Sequence, residues 1–463
     1  MPQQGAQAEN AITTGVIWKQ ILVFFLPIVA GSVFQQLYNM VDTIVVGHYV
    51  GTHALAAVGN AGLITQLIVG FFVGVASGAT VVTAQYYGAG LPGRVSDAVH
   101  TAMALSLVFG ALVTGLGILT ARPLLLLIRQ PAELIDDTVL YLRVFYAGVT
   151  GAMVYNMGTG ILRSVGDSKR PLYILIAASL VNVVLDLLFV LVFHWGIFGV
   201  ALATVLSEFI SALLIVICLF RTNDSYKLHL RKLRLHWRIF LEIIRIGLPG
   251  GFESILYVSS TLIIQSAVNG FGTSIIAAWS TTGKIDSVVW LVMQAFGIAI
   301  TTFIGQNFGA QRYDRVKQCV RTGLLMNFAS IAVLSVFVYF TCPFLMRIFT
   351  DDTEVIYWAS YIMRYFAPFY VVYVVISVLS STIRACGEAF PPMLVTTLGI
   401  CGFRIFWMFA VLPHRHTLGM VSLSFGTSWI LTATVFTIYY LRMRWMKRCI
   451  ARMEGYSVHG RRL

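Results

Sequence analysis

The sequence predicts an all-α polytopic membrane protein, with twelve transmembrane helices in two six-helix lobes related by a parallel internal repeat. Three observations carry that prediction. Hydrophobic residues make up 58% of the 463-residue chain and charged residues only 11%, with a mean hydropathy of +0.82. A soluble domain carries about 25% charged residues, so this chain cannot clothe a water-facing surface and must face lipid. Its apolar segments are long enough to cross a bilayer, and its second half repeats its first.

A hydrocarbon core about 30 Å thick takes about 20 helical residues. Segments of at least that length run at 17–46, 54–84, 98–120, 140–162, 171–193 and 197–220. After a polar interval they resume at 240–269, 274–305, 320–341, 358–383, 392–412 and 418–441. Several exceed the minimum, which leaves room for tilting or kinking. The first follows a polar N-terminus containing Glu9. It is too long for the apolar core of a signal peptide and no small-residue cleavage site follows, so it is expected to be a retained helix. Pro27 and Pro249 interrupt the hydrogen-bond ladder of the first span in each half, which allows a bend. Most of the 40 glycines are expected to permit close helix packing.

The net charge of +13 does not form a nucleic-acid-binding face. With the N-terminus placed inside, the even-numbered loops and both termini hold 23 of the 32 Lys and Arg residues. They include Arg221, Lys227, Arg231, Lys232, Arg234 and Arg238 between the halves, and Arg312, Arg315, Lys317 and Arg321 after the eighth span. The tail adds Arg442, Arg444, Lys447, Arg448, Arg452, Arg461 and Arg462. The opposite side holds six: Arg122, Arg129, Arg143, Arg347, Arg364 and Arg415. By the positive-inside rule both termini are expected to be cytoplasmic, in a bacterial inner membrane.

A shift of 220 to 222 residues superposes the halves. Leu26-Pro27 meets Leu248-Pro249, and Gly51-Thr52 with Ala56-Ala57 meets Gly272-Thr273 with Ala277-Ala278. Gly88-Ala89 meets Gly309-Ala310, and RSVGDSKRP at Arg163–Pro171 meets RACGEAFPP at Arg384–Pro392. Six spans per half is an even number, so both halves insert the same way round, and sites in such proteins lie near the midplane. The expected domains are an N-terminal lobe at 1–220, a basic linker at 221–239, a C-terminal lobe at 240–441 and a basic tail at 442–463.

Ionisable groups inside spans are expensive, about 2.5–3.5 kcal/mol each on insertion scales, and mark function by default. The chain has Asp42, Asp186, Glu208, Glu253 and Asp286 within or near its spans, against Lys284, Arg404 and Arg245. Asp186 lies deep in the fifth span, with Asn182 one turn earlier on the same face. A carboxylate beside an amide oxygen can hold a proton or, with further oxygens, a small hard cation. Asp42 lies late in the first span, and Glu208 one turn beyond Thr204 in the sixth. Asp286 is expected to pair with Lys284. Glu253 and Arg404 are read as each other's partner or as partners of lipid headgroups. At the repeat offsets Asp42 falls on Ile264, and Asp186 on Phe406 or Trp407. The second half lacks both acids, which favours one cation site in the first.

The cysteines (Cys218, Cys319, Cys342, Cys386, Cys401 and Cys449) are scattered, so neither zinc nor a disulfide framework is indicated. There is no GxxxxGK[ST] phosphate loop, HExxH or GxSxG motif. An enzyme is not expected, no cofactor is called for, and any transport would be driven by a gradient.

Together the run LPIVAGSVFQQLYNMVDTIVVGHYVGTHALAAVG, the ILRSVGDSKRP after the fourth span, and GKID with FIGQNFGA around the eighth resemble the multidrug and toxic compound extrusion (MATE) family over essentially the whole chain. They are most similar to its prokaryotic DinF-like and MepA-like members. The resemblance implies cation-coupled export by alternating access, and the acidic balance of charges within the spans favours small, cationic amphiphilic compounds as the cargo. It implies a helix bend at Pro27, a cation-coupling network of Asp42, Asn182, Asp186 and Thr204, and a substrate cavity near Gln35, Tyr38 and Asn156. Glu208 is grouped with that cavity although it is not part of the family motif. The proton is the expected coupling ion and sodium the competitor, since the same four residues could supply four of about five or six oxygen ligands. The expected partners are a small-molecule substrate and the lipid bilayer, with the chain a monomer. The alternatives are a flippase of lipid-linked precursors from the same superfamily and, less favoured, a channel.

Overall fold

The computed structural model describes residues 11–127 and 130–451. Glu9, Arg129, Arg452, Arg461, Arg462 and the end of the tail lie outside them. A short α1 (Ala11–Thr14) precedes the first half, which contains α2 (Ile17–Val45), α3 (Thr52–Gly88), α4 (Pro92–Leu127), α5 (Ala132–Ser164), α6 (Lys169–Leu187) and α7 (Gly196–Arg221). The second half contains α8 (Trp237–Asn269), α9 (Thr273–Gly309), α10 (Tyr313–Arg347), α11 (Thr353–Ala385), α12 (Phe390–Thr396), α13 (Phe403–Ala410) and α14 (Leu418–Leu441). Wider π turns extend α2 at Val46–Val50 and α6 at Leu188–Val192, and another joins α12 to α13 at Thr397–Gly402. With those turns included, the helices form twelve long spans.

Eleven of the spans are apolar enough to cross a membrane by length and composition. The twelfth, α8, is 33 residues long and carries Glu242, Arg245 and Glu253, which lower its hydropathy. Several helices outrun their apolar segments. The third span runs from Pro92 to Leu127, not only over 98–120. Hydropathy marks the part of a helix that lipid touches, while backbone hydrogen bonding continues through polar residues at both ends.

The chain divides into two compact units, Val23–Gly251 and the remainder on either side of it. The divisions fall inside α2 and α8, and the 221–239 segment lies within the first unit. That segment is pinned there. The His100 imidazole bonds the His229 backbone N–H at 2.9 Å and stacks on its ring, while His236 pairs with Asp97 at 3.2 Å.

In the first unit α5 is central and packs against α3, α4 and α7. In the second, α11 takes that role against α9, α10 and α14. The repeat therefore reaches the packing. It reaches the backbone too, because left-handed residues recur in register: Gly51 (φ 116°) with Gly272 (101°), Gly90 (65°) with Gln311 (59°), and Gly166 (97°) with Gly387 (94°). Each ends or starts a helix where an L side chain is strained.

One glycine contact in the first unit depends on space. A Cβ at Gly74 of α3 would stand 2.3 Å from the Gly251 nitrogen, and one at Gly247 would stand 2.6 Å from the Val75 carbonyl oxygen. Gly74 and Gly78 face Gly247 and Gly251, two GxxxG pairs that bring helix backbones into contact.

Candidate functional site

In the first unit three helices each present two polar residues one turn apart, and so on one face. These are Tyr38 and Asp42 on α2, Asn182 and Asp186 on α6, and Thr204 and Glu208 on α7. Asn182 and Asp186 are each only 1% exposed. What faces the Asn182 amide fixes its orientation. The Thr204 backbone N–H can only donate, so the amide oxygen turns to it at 3.3 Å, and the amide nitrogen then donates to Asp186 Oδ2 at 3.0 Å. The Thr204 hydroxyl donates to the Val200 carbonyl at 3.2 Å. Tyr38 lies near Thr204 and within electrostatic range of Asp42 and Asp186, which also sense each other.

Asp42 Oδ1, Asp186 Oδ1 and Glu208 Oε2 are buried with no hydrogen-bond partner among the described residues. No cationic side chain among them pairs with these carboxylates. Buried anionic oxygens without donors are expensive. Such a cluster balances its charge by taking up a proton or a small cation, and its carboxylates, with the Asn182 amide and the Thr204 hydroxyl, fit either.

Tyr141 of α5, buried and within electrostatic range of Asp42, Asp186 and Glu208, completes the cluster. Sequence reasoning missed it, because a tyrosine in an apolar helix resembles ordinary packing. Pro27, Gln35 and Asn156 are not in the cluster. Pro27 is inside α2, fifteen residues before Asp42, or about 22 Å along the axis. Gln35 is exposed on α2. Asn156 donates to its own helix, at the Ala152 carbonyl, over 2.8 Å. Glu208 packs against Gly148, where a Cβ would meet its Oε2 at 2.8 Å.

The second unit is built differently at the equivalent positions. Ile264 is 2% exposed in an apolar cluster with Val268, Met408, Leu412 and Val421, with Trp407 packed on it, while Phe406 is exposed. Two pairings expected from sequence are corrected. Asp286 accepts from Trp290 Nε1 at 2.9 Å and from the Tyr370 hydroxyl, whereas Lys284 lies over the Phe349 ring at 4.9 Å. At i and i+2 on a helix the two side chains diverge, so their proximity in sequence does not bring them together. Glu253 pairs with Arg384 at 2.5 Å, and Arg404 rests on the Phe425 ring at 3.8 Å while donating to Ser428. Neither pairing was visible, because the partners lie on helices remote in sequence.

A family model described as MatE matches residues 27–188 and again 249–410, two copies 222 residues apart (249 minus 27). The chain belongs to the MatE family. It is a multi-pass membrane protein of a transporter family. Among curated relatives it is 27% identical to the probable multidrug resistance protein YoeA of Bacillus subtilis over 445 residues, covering 94% of this chain and 96% of that protein. It is 26% identical to the probable multidrug resistance protein YpnP of the same organism, covering 94% and 97%. Among solved structures, an outward-facing multidrug resistance MATE family transporter of the MOP superfamily superposes with a TM-score of 0.88 at 23% identity, covering 96% of this chain and 99% of that one. That likeness establishes the fold.

Proposed function

We propose that this MatE-family chain is a secondary active antiporter that exports small, cationic amphiphilic compounds in exchange for protons. It works as a monomer in a bacterial inner membrane with both termini cytoplasmic, and belongs to the DinF-like and MepA-like branch. The observation that carries the reading is that Asp42 and Asp186 each hold a buried, unpartnered carboxylate oxygen and neither has a cationic partner among the described residues. The names of the B. subtilis relatives support multidrug export.

In this reading Asp186 Oδ1 is the loading position, because Asn182 already occupies Oδ2. An incoming proton removes the repulsion between Asp42 on α2 and Asp186 on α6. The balance of contacts between α2 and the α6–α7 pair then changes, and Pro27 lets α2 bend in response. Release of the proton to the cytoplasm restores the charged state and resets the helix. A cluster of unpartnered acids favours organic cations over anions by simple electrostatics.

Proteoliposome flux tests the ion. A cationic dye is exported under a pH gradient in sodium-free buffer, then under a sodium gradient at equal pH with the membrane potential clamped. Flux with the pH gradient alone is expected. Flux with only the sodium gradient would move the coupling to sodium, with Asp42, Asn182, Asp186 and Thr204 as its ligands.

A further inference from the structure

The second unit holds a cavity of about 910 Å³ between α10 and α11. It is separate from the acid cluster, which lies wholly in the first unit. Two helix-interior prolines line it, Pro343 of α10 and Pro368 of α11. Each removes a backbone hydrogen bond and pushes away the preceding turn. The groove lies where these two prolines line it.

The chemistry of the walls is specific. Arg347 and Arg364 both line the groove, both are exposed to it, and neither has an ion-pair partner among the described residues. Asp351 is the one acid in the lining, so the walls carry two positive charges and one negative. Tyr339, Tyr361 and Tyr365 add hydroxyls and ring faces, and the Arg364 guanidinium lies 6.0 Å from the Tyr339 ring centroid.

Depth locates the groove against the bilayer. α11 has 33 residues, about 50 Å of helix against about 30 Å of hydrocarbon, so roughly 10 Å stands clear at each end. Arg364 is eleven residues into α11, about 16 Å along it, which puts its head just inside the hydrocarbon boundary. Arg347 closes α10, beyond that boundary. The pair straddles that boundary. Phe340 and Phe344 next to the groove are 74% and 70% exposed, the surface expected where acyl chains lie.

We propose that this groove binds the phosphate headgroup of an anionic glycerophospholipid, held between Arg347 and Arg364, with one acyl chain running along the α10–α11 seam. The net charge of plus one matches a headgroup of charge minus one, such as phosphatidylglycerol. A phosphatidylcholine headgroup would place a third cation beside the two arginines.

Native mass spectrometry of the full-length protein, released from micelles containing equal phosphatidylglycerol and phosphatidylcholine, tests this. The wild type should retain phosphatidylglycerol preferentially, and Arg347→Gln with Arg364→Gln should lower that retention about thirtyfold, at roughly 1 kcal/mol per interfacial arginine. Arg415→Gln, outside the groove, should leave it unchanged. Asp351→Asn raises the groove charge and should strengthen retention, so the proposal is also tested by a gain. Equal retention of the two lipids, an unchanged double variant, or displacement of the lipid by millimolar glycerol phosphate would overturn it, the last by showing a site for a free phosphate compound.

Discussion

Asn182 donates its side-chain amide to Asp186 Oδ2 across one turn of α6, at 3.0 Å, while its oxygen is held by the Thr204 backbone N–H of α7. The amide is a bridge that sets how the acid faces its neighbours. It leaves Oδ1 of Asp186 open to a proton or an ion.

Asn182→Leu keeps the volume and removes the bridge. A hydrogen bond to a charged group contributes about 1.5–3 kcal/mol, so apparent affinity for the coupling ion should change about ten- to hundredfold. The ion-concentration dependence of flux measures it. An unchanged midpoint would show that the bridge plays no part in ion binding.

The acid pair was legible in the sequence because a carboxylate in an apolar span has few innocent explanations, and because one turn of helix links Asn182 to Asp186. The spans, their order and the repeat were legible for a similar reason, since lipid selects composition directly. The wrong assignments share a cause. Lys284 with Asp286 was inferred from adjacency along the chain, yet Asp286 faces Tyr370 and Trp290. Tyr141 and the Glu253–Arg384 pair depend on which faces of distant helices meet, and periodicity holds no record of that. The π turns at Val46–Val50, Leu188–Val192 and Thr397–Gly402 leave no mark in hydropathy either.

Glu253 and Arg384 form an ion pair at 2.5 Å with side chains 16% and 23% exposed. Removing one partner from a buried pair costs about 3–5 kcal/mol, and replacing both with apolar residues costs much less. These side chains retain some exposure, so the lower end applies. Arg384→Met should lower the melting temperature in detergent clearly more than Glu253→Leu with Arg384→Met together. Additive losses in the double variant would show that the pair is not coupled.

Gly74 meets Gly251 at backbone distance. Any side chain there forces α3 and α8 apart, and over-packing costs about 1–3 kcal/mol or more. Gly74→Val should reduce the folded, monodisperse yield, whereas Gly59→Val, where a Cβ meets nothing within 4 Å, should not. Equal yields for the two variants would mean that the close approach is not needed.

The proposed orientation rests on the basic loops. Reporters fused after Phe220 and Leu463 should both report the cytoplasm. A periplasmic signal from either would contradict the twelve-span arrangement with both termini inside.

The central claim, that Asp42 and Asp186 form the coupling site, is tested most directly by gradient-driven efflux of a cationic dye from proteoliposomes holding equal amounts of wild type, Asp42→Asn or Asp186→Asn. Asparagine preserves shape but cannot exchange a proton or balance a cation. Both variants should insert and fold normally, and both should lose coupled efflux by at least about a hundredfold, the effect of losing about 3 kcal/mol. Phe406→Leu and Ile264→Leu, at the repeat-equivalent positions, should stay near wild type. Wild-type efflux from both asparagine variants would contradict the account.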